Sequence, residues 1–259
     1  MKILTVSTLV LGAAICAAAA IPFTKSSPVA TSNAVAETGT VQVKVVWEGE
    51  KPEALPALVI SPEASKGCCP DGVAVDSTNQ SRMIDAAGGV ANVVLTIGVK
   101  DMPVKVPEGR KYYLDQKACR YEPHVQVVPM GATVEYLNSD SVAHNVHVYA
   151  TKNGDQNNSV AAGSKAEQKL DKAEVVTVKC DIHPWMSSYI FVTDDPIYGL
   201  SGADGSATLE GVPAGKYKVG YWHEHDSIGK GKSDEVTVEA GKTTTVEIKV
   251  GGKKKKAGR

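Results

Sequence analysis

The chain has 259 residues, with 28 Lys and Arg against 29 Asp and Glu and a formal net charge of −1. Its 42 % hydrophobic content fits a soluble globular protein with one large or two small domains, and only two Phe are present among segments built from Val, Ile and Thr, which favours strands over helices. Removing Lys2 and the five tail charges (Lys253 to Lys256, Arg259) leaves 22 basic against 29 acidic side chains, so the body is acidic and lacks the basic, aromatic-interleaved stripe of a nucleic-acid binder.

In chain order, Met1-Lys2 is followed by an apolar run from Ile3 to Ile21 that passes through Ala17-Ala18-Ala19-Ala20, the pattern of a secretory leader. We expect a signal peptide over 1–20, with Ala34-Val35-Ala36 as a second candidate cleavage site, and a periplasmic or extracellular product. Cys16 reads as leader hydrophobicity. Residues 21–40 read as a linker. From Val41 to Trp47 the apolar residues fall mostly at odd positions, a half-buried strand. Further strands are expected near Ala91 to Val99, His124 to Val128, Ala132 to Asn138, Asn145 to Ala150, Val175 to Lys179 and Tyr189 to Val192. A short helical piece is expected at Ala161 to Leu170, where Ala, Lys, Glu and Gln are frequent. After Asp195-Pro196 the pattern changes to an Asp204-Gly205 turn and a Pro213-Ala214-Gly215-Lys216-Tyr217 turn between strands. This pattern resembles the transthyretin-like carboxypeptidase regulatory module. So small a sandwich buries a marginal core alone and could borrow the Val41 strand. The basic tail, 251–259, reads as disordered.

The fold class expected is therefore all-β: a β-sandwich domain over 41–195 and a small β-sandwich module over 196–250. Membrane association would run only through an uncleaved leader or the basic tail.

The chemistry concentrates in Cys180-Asp181-Ile182-His183-Pro184-Trp185-Met186. A trigonal site of two His and one Cys with a weak axial Met suits copper in both oxidation states, and a second His is needed from elsewhere. The run Ala143-His144-Asn145-Val146-His147 offers two, which point to opposite faces of a strand; parity does not choose between them.

With these motifs the chain resembles the blue copper cupredoxins, especially their amicyanin and plastocyanin-like members. The likeness rests on the Cys-x-x-His-x-x-Met loop and on Gly131-Ala132-Thr133-Val134, Asn138 and His144-Asn145-Val146-His147. It is also similar to larger secreted proteins of methylamine-utilisation type that join a cupredoxin to a regulatory-like module. The resemblance implies a Greek-key sandwich and one copper ion (Cu+/Cu2+) held by His144, Cys180, His183 and, axially, Met186. It places Asn145 behind the ligands and leaves His147 outside the site. It further implies single-electron transfer between protein redox partners, without catalysis or a small-molecule substrate, through the edge of His183 and an apolar patch of Pro184 and Trp185. Copper storage or delivery, and a surface interaction protein with a structural metal, are the alternatives.

With Cys180 assigned to metal, one disulfide is expected from Cys119 to Cys68 or Cys69, the pair Cys69–Cys119 being the one adopted. A metal site from Cys119 and His124 is the less favoured use of those residues. His223 and His225, on one strand face, could chelate, but packing is the favoured reading. Tyr112, Tyr113 and Trp47 read as core or interface aromatics.

Overall fold

The computed structural model of the chain describes residues 37–70 and 73–252. The expected leader and most of the expected linker and tail lie outside them. No helix among the described residues is long and apolar enough to cross a membrane.

The described residues form one all-β unit. Its strands are β1 (Thr38–Trp47), β2 (Val94–Ile97), β3 (Tyr112–Lys117), β4 (Arg120–Glu122), β5 (Val125–Pro129), β6 (Ala132–Asn138), β7 (His144–Tyr149) and β8 (Gln156–Val160). They continue with β9 (Lys165–Leu170), β10 (Glu174–Lys179), β11 (Ser187–Thr193), β12 (Ile197–Leu200), β13 (Ser206–Pro213), β14 (Gly215–Trp222), β15 (Lys230–Val238) and β16 (Thr243–Val250).

Two sheets enclose the first core. One has the order β5-β11-β10-β7-β8 and the other β4-β3-β6-β9. Alternation decides what they bury: Val134 and Tyr136 from β6, Val146 and Val148 from β7, Val176 and Val178 from β10 and Ile190 and Val192 from β11 all face the interior. The expected helix at Ala161 to Leu170 is not formed. Lys165–Leu170 pairs antiparallel with β6, and its alternation buries Gln168 and Leu170. Cross-strand pairing over a buried face outweighs the modest helix propensity of these residues.

The second core lies between the sheets β13-β1-β16 and β12-β2-β14-β15. Here β1 is the borrowed strand, antiparallel to β13 and parallel to β16. It places Val41, Val43 and Val45 at 0 %, 2 % and 0 % exposure, and β2 adds Leu95 and Ile97. Residues on both sides of 195 thus build this core. Of the three singled-out aromatics, Tyr112 is buried in the first core and Trp47 packs against the second, but Tyr113 is exposed because successive strand residues face opposite ways.

Gly205 makes the turn into β13 at φ +82°, where an added Cβ would lie 2.3 Å from the Val45 carbonyl oxygen and 2.7 Å from the Val90 amide nitrogen. Both the backbone conformation and this close approach require glycine. Gly205→Ala should therefore lower stability by about 2 kcal/mol or more. A urea midpoint unchanged from wild type would contradict this.

Cys68 is bridged to Cys119, with Cα atoms 5.2 Å apart and a sequence separation of 51 residues. This corrects the expected Cys69–Cys119 pair; Cys69 is free and partly exposed. Cys68 is the one of the two neighbours packed inside the first core, beside Cys119. In the chain-entropy model a loop of this length contributes about 4 kcal/mol.

Candidate metal centre

Three elements bring the sequence-predicted donors together at one end of the first core. His144 opens β7, Cys180 follows β10, and His183 lies in the loop that leads into β11. The loop is folded on itself by Cys180 N–H to the Met186 carbonyl (3.3 Å) and Met186 N–H to the His183 carbonyl (2.8 Å). His144, Cys180, His183 and Met186 are 0 %, 2 %, 3 % and 1 % exposed. His144 Nδ1 lies 2.9 Å from His183 Nδ1, and Cys180 Sγ lies 3.5 Å from the same His183 nitrogen. The ligand atoms of all three residues are within 4.8 Å of one another.

The outer nitrogens explain this orientation. His144 Nε2 donates to Asp140 Oδ2 (2.8 Å) and His183 Nε2 to the Ala64 carbonyl (2.9 Å). With both outer nitrogens acting as donors, each ring turns its Nδ1 inward, where a metal ion would draw on the lone pairs. Burial alone would raise the Cys180 thiol, but the neighbouring His144 and His183 imidazoles and backbone contacts at Asn145 and His183 hold it down at about 6. Burial likewise pulls His144 down, yet the Asp140 carboxylate and Cys180 lift it to about 9. The thiol is thus pushed toward the thiolate and His144 toward protonation by the same contact between them. A soft cation favours a thiolate and neutral imidazoles, so the donor set fits a copper ion.

Asn145 lies behind the donors. Its Oδ1 accepts from Asp181 N–H (2.8 Å) and sits 3.3 Å from Cys180 Sγ, while its Nδ2 donates to Asp181 Oδ2 and Asn157 Oδ1 (both 2.8 Å). His147 turns to the opposite face, as strand parity requires for one of the two. It stands 3.2 Å from Asp181 and stacks on Tyr149 with ring centroids 4.0 Å apart.

The expected open edge at His183, Pro184 and Trp185 is corrected in part. Pro184 is exposed, but Trp185 is 8 % exposed and donates Nε1–H to the Cys119 carbonyl (2.9 Å). The outer edge of His183 is covered by Ala64 and the Cys68–Cys119 bridge, whose sulfurs lie 3.9 and 3.8 Å from His183 Nε2. The cause is residues 61–69, a segment distant in sequence.

Asp140 was not singled out in the sequence, although a carboxylate four residues before a candidate ligand histidine is a readable signal. Besides His144 it accepts the amide protons of Ala118 and Cys119 (2.6 and 2.8 Å), both at φ 51°. It therefore ties the bridge's turn to the donor set. Asp140→Asn should weaken copper binding about 10–100-fold, by analogy with other carboxylate–histidine supports. A competition titration giving wild-type affinity would contradict this.

Cys119 and His124 do not form a second centre: Cys119 is in the bridge, and His124 pairs with Glu224 and the Ser187 carbonyl. His223 and His225 follow the end of β14 rather than sharing a strand face. His223 Nδ1 accepts the His225 amide proton (3.0 Å), and burial pushes the His223 imidazole down to about 4.

No family model and no curated protein matches this chain. Among solved structures, a copper-containing nitrite reductase from Thermus scotoductus SA-01 aligns over 36 % of this chain at 22 % identity and TM-score 0.31; this chain spans only 25 % of the reductase. A purple cupredoxin from Nitrosopumilus maritimus aligns over 32 % of this chain and 100 % of its own, at 23 % identity and TM-score 0.29. Amicyanin from Paracoccus versutus aligns over 38 % and 97 %, at 19 % identity and TM-score 0.30. What the centre can do follows from its own donor atoms.

Proposed function

We propose that the chain is a type 1 copper protein that carries single electrons between protein redox partners outside the cytoplasm, and is not an enzyme. The observation that supports this is the convergence of two inward Nδ1 atoms and a low-pKa thiol in a buried pocket. His144, Cys180 and His183 would be the strong ligands and Met186 the weak axial one. Bound there, copper would supply a one-electron Cu(I)/Cu(II) couple. The chain's part is to hold the ligands nearly still. Asp140 and Ala64 fix the two rings, Asn145 fixes the loop through Asp181, and Tyr121 bridges the carbonyls of Asn145 and Lys179 (2.7 and 3.1 Å). Ligands so constrained rearrange little between oxidation states, and their burial suits electron transfer rather than substrate binding. The second core is read as a regulatory-like module for docking or anchoring, and no small-molecule substrate is expected.

Copper storage or delivery is the second reading. The cover over His183 favours it, because that ligand edge does not meet solvent. Copper titration followed by potentiometry separates the two readings. An electron carrier takes up one copper per chain and cycles reversibly by one electron without losing it. A storage protein binds copper but yields it to a Cu(I) chelator as the ion is reduced.

A further inference from the structure

We propose that residues 61–69 form a gate over the candidate metal centre, latched by the Cys68–Cys119 disulfide and opened by a dithiol reductant. The strap covers the centre on the His183 side. Ala64 supplies the carbonyl that accepts from His183 Nε2 (2.9 Å), and both bridge sulfurs lie within 3.9 Å of that nitrogen. Apart from the bridge, the strap's hydrogen bonds to the body are few: the Ala64 contact itself and Ser141 Oγ to the Gly67 carbonyl (3.1 Å). Its other bonds are internal, such as Ser65 N–H to Ser61 and Cys68 N–H to Ser65 (3.0 and 3.1 Å). The other end of the latch is fixed. Cys119 is held through its amide by Asp140 and through its carbonyl by Trp185. Ala64, Cys68 and Cys69 also pack on the first core, so cutting the bridge removes the strap's one covalent tie and leaves that packing and the few hydrogen bonds to hold it, while the ligand-bearing body stays in place.

The step balances as thiol–disulfide exchange. One thiolate of the reductant attacks Cys68 Sγ, the more exposed of the two bridge sulfurs, and the Cys119 thiolate leaves. The reductant's second thiolate then attacks its own sulfur in the mixed disulfide and releases Cys68. The dithiol gives up two electrons and becomes a disulfide, while Cys68 and Cys119 each take a proton. What the gate guards rests on the copper reading above; whether it opens does not.

The test is pulse alkylation of the metal-free full chain with iodoacetamide, with Cys180 followed by peptide mass spectrometry. After dithiothreitol, Cys180 should label about tenfold faster or more, and Cys68→Ser should reproduce this without reductant. Labelling through the open gate should be flat at low urea, whereas labelling through global unfolding climbs with urea from the start. An unchanged Cys180 rate, a bridge that dithiothreitol leaves intact, or a rate that climbs with urea throughout would each overturn the gate. In the copper-loaded protein, release to a chelator should quicken with the opening. Gated labelling in a chain that binds no copper would sink the copper reading and leave the gate standing.

Discussion

Glu224→Ala is expected to cost the folded chain about 1–3 kcal/mol, the range for leaving a buried polar group without its hydrogen-bond partner. The Glu224 carboxylate bonds His124 Nε2, and the two side chains are only 5 % and 7 % exposed. His124 Nδ1 faces the Ser187 carbonyl at 3.1 Å, so both ring nitrogens are placed beside acceptor oxygens. His124 immediately precedes β5 of the first core, and Glu224 follows β14 of the second, so the pair joins the two. Without Glu224 the buried His124 Nε2 loses its hydrogen-bond partner. Glu224→Gln keeps an acceptor and should cost less. Urea denaturation of Glu224→Ala, His124→Ala and the double variant would give the coupling energy. Singles that add without coupling would show that the pair does not join the cores energetically. Ser187 also follows Met186 directly, so the same contact steadies the far end of the ligand loop.

The second large effect is expected at Cys180. Cys180→Ser replaces a thiol poised at about 6 by a hydroxyl that stays protonated at neutral pH. Copper affinity should fall by more than the about 10–100-fold expected for the supporting Asp140, because a ligand atom is lost rather than a ligand's orientation. The metal-free variant should stay folded, since Ser is close in size to Cys. His147→Ala is the control: its ring faces Asp181 and Tyr149 on the other side of β7, and copper binding should be unaffected. Competition titrations of the three proteins check this ordering. An equal loss in His147→Ala and Cys180→Ser would mean that the buried cluster is not where copper binds.

Much of the fold could be read from alternation. Ala132–Asn138 matches its expected span because Ala132, Val134 and Tyr136, every second residue, are apolar and face the first core. β9 could not be read this way: Lys165-Ala166-Glu167-Gln168-Lys169-Leu170 carries helix-favouring side chains, and only its pairing with β6 makes it a strand. β3 was not anticipated either, since Tyr112-Tyr113-Leu114-Asp115-Gln116-Lys117 has no clean period. The use of β1 by the second core was open in the sequence and was decided by pairing with β13 and β16 over a shared interior.

The donor residues were legible because Cys-x-x-His-x-x-Met places them in one short loop, and strand parity limited the upstream choice to His144 or His147. The cover was not legible. Nothing in Ser61 to Cys69 signals that Ala64 will lie over His183, a contact across 119 residues. Choosing Cys68 over Cys69 likewise depends on which neighbour faces the interior, and a strap without strand periodicity does not encode that.

The most direct test of the copper reading is visible absorption and EPR of the Cu(II)-loaded protein, wild type against Cys180→Ser. The expected result is an intense thiolate-to-copper band with a narrow copper hyperfine splitting in wild type, both lost in the variant. A weak, ordinary Cu(II) spectrum that the substitution leaves unchanged would contradict a type 1 centre at His144, Cys180 and His183.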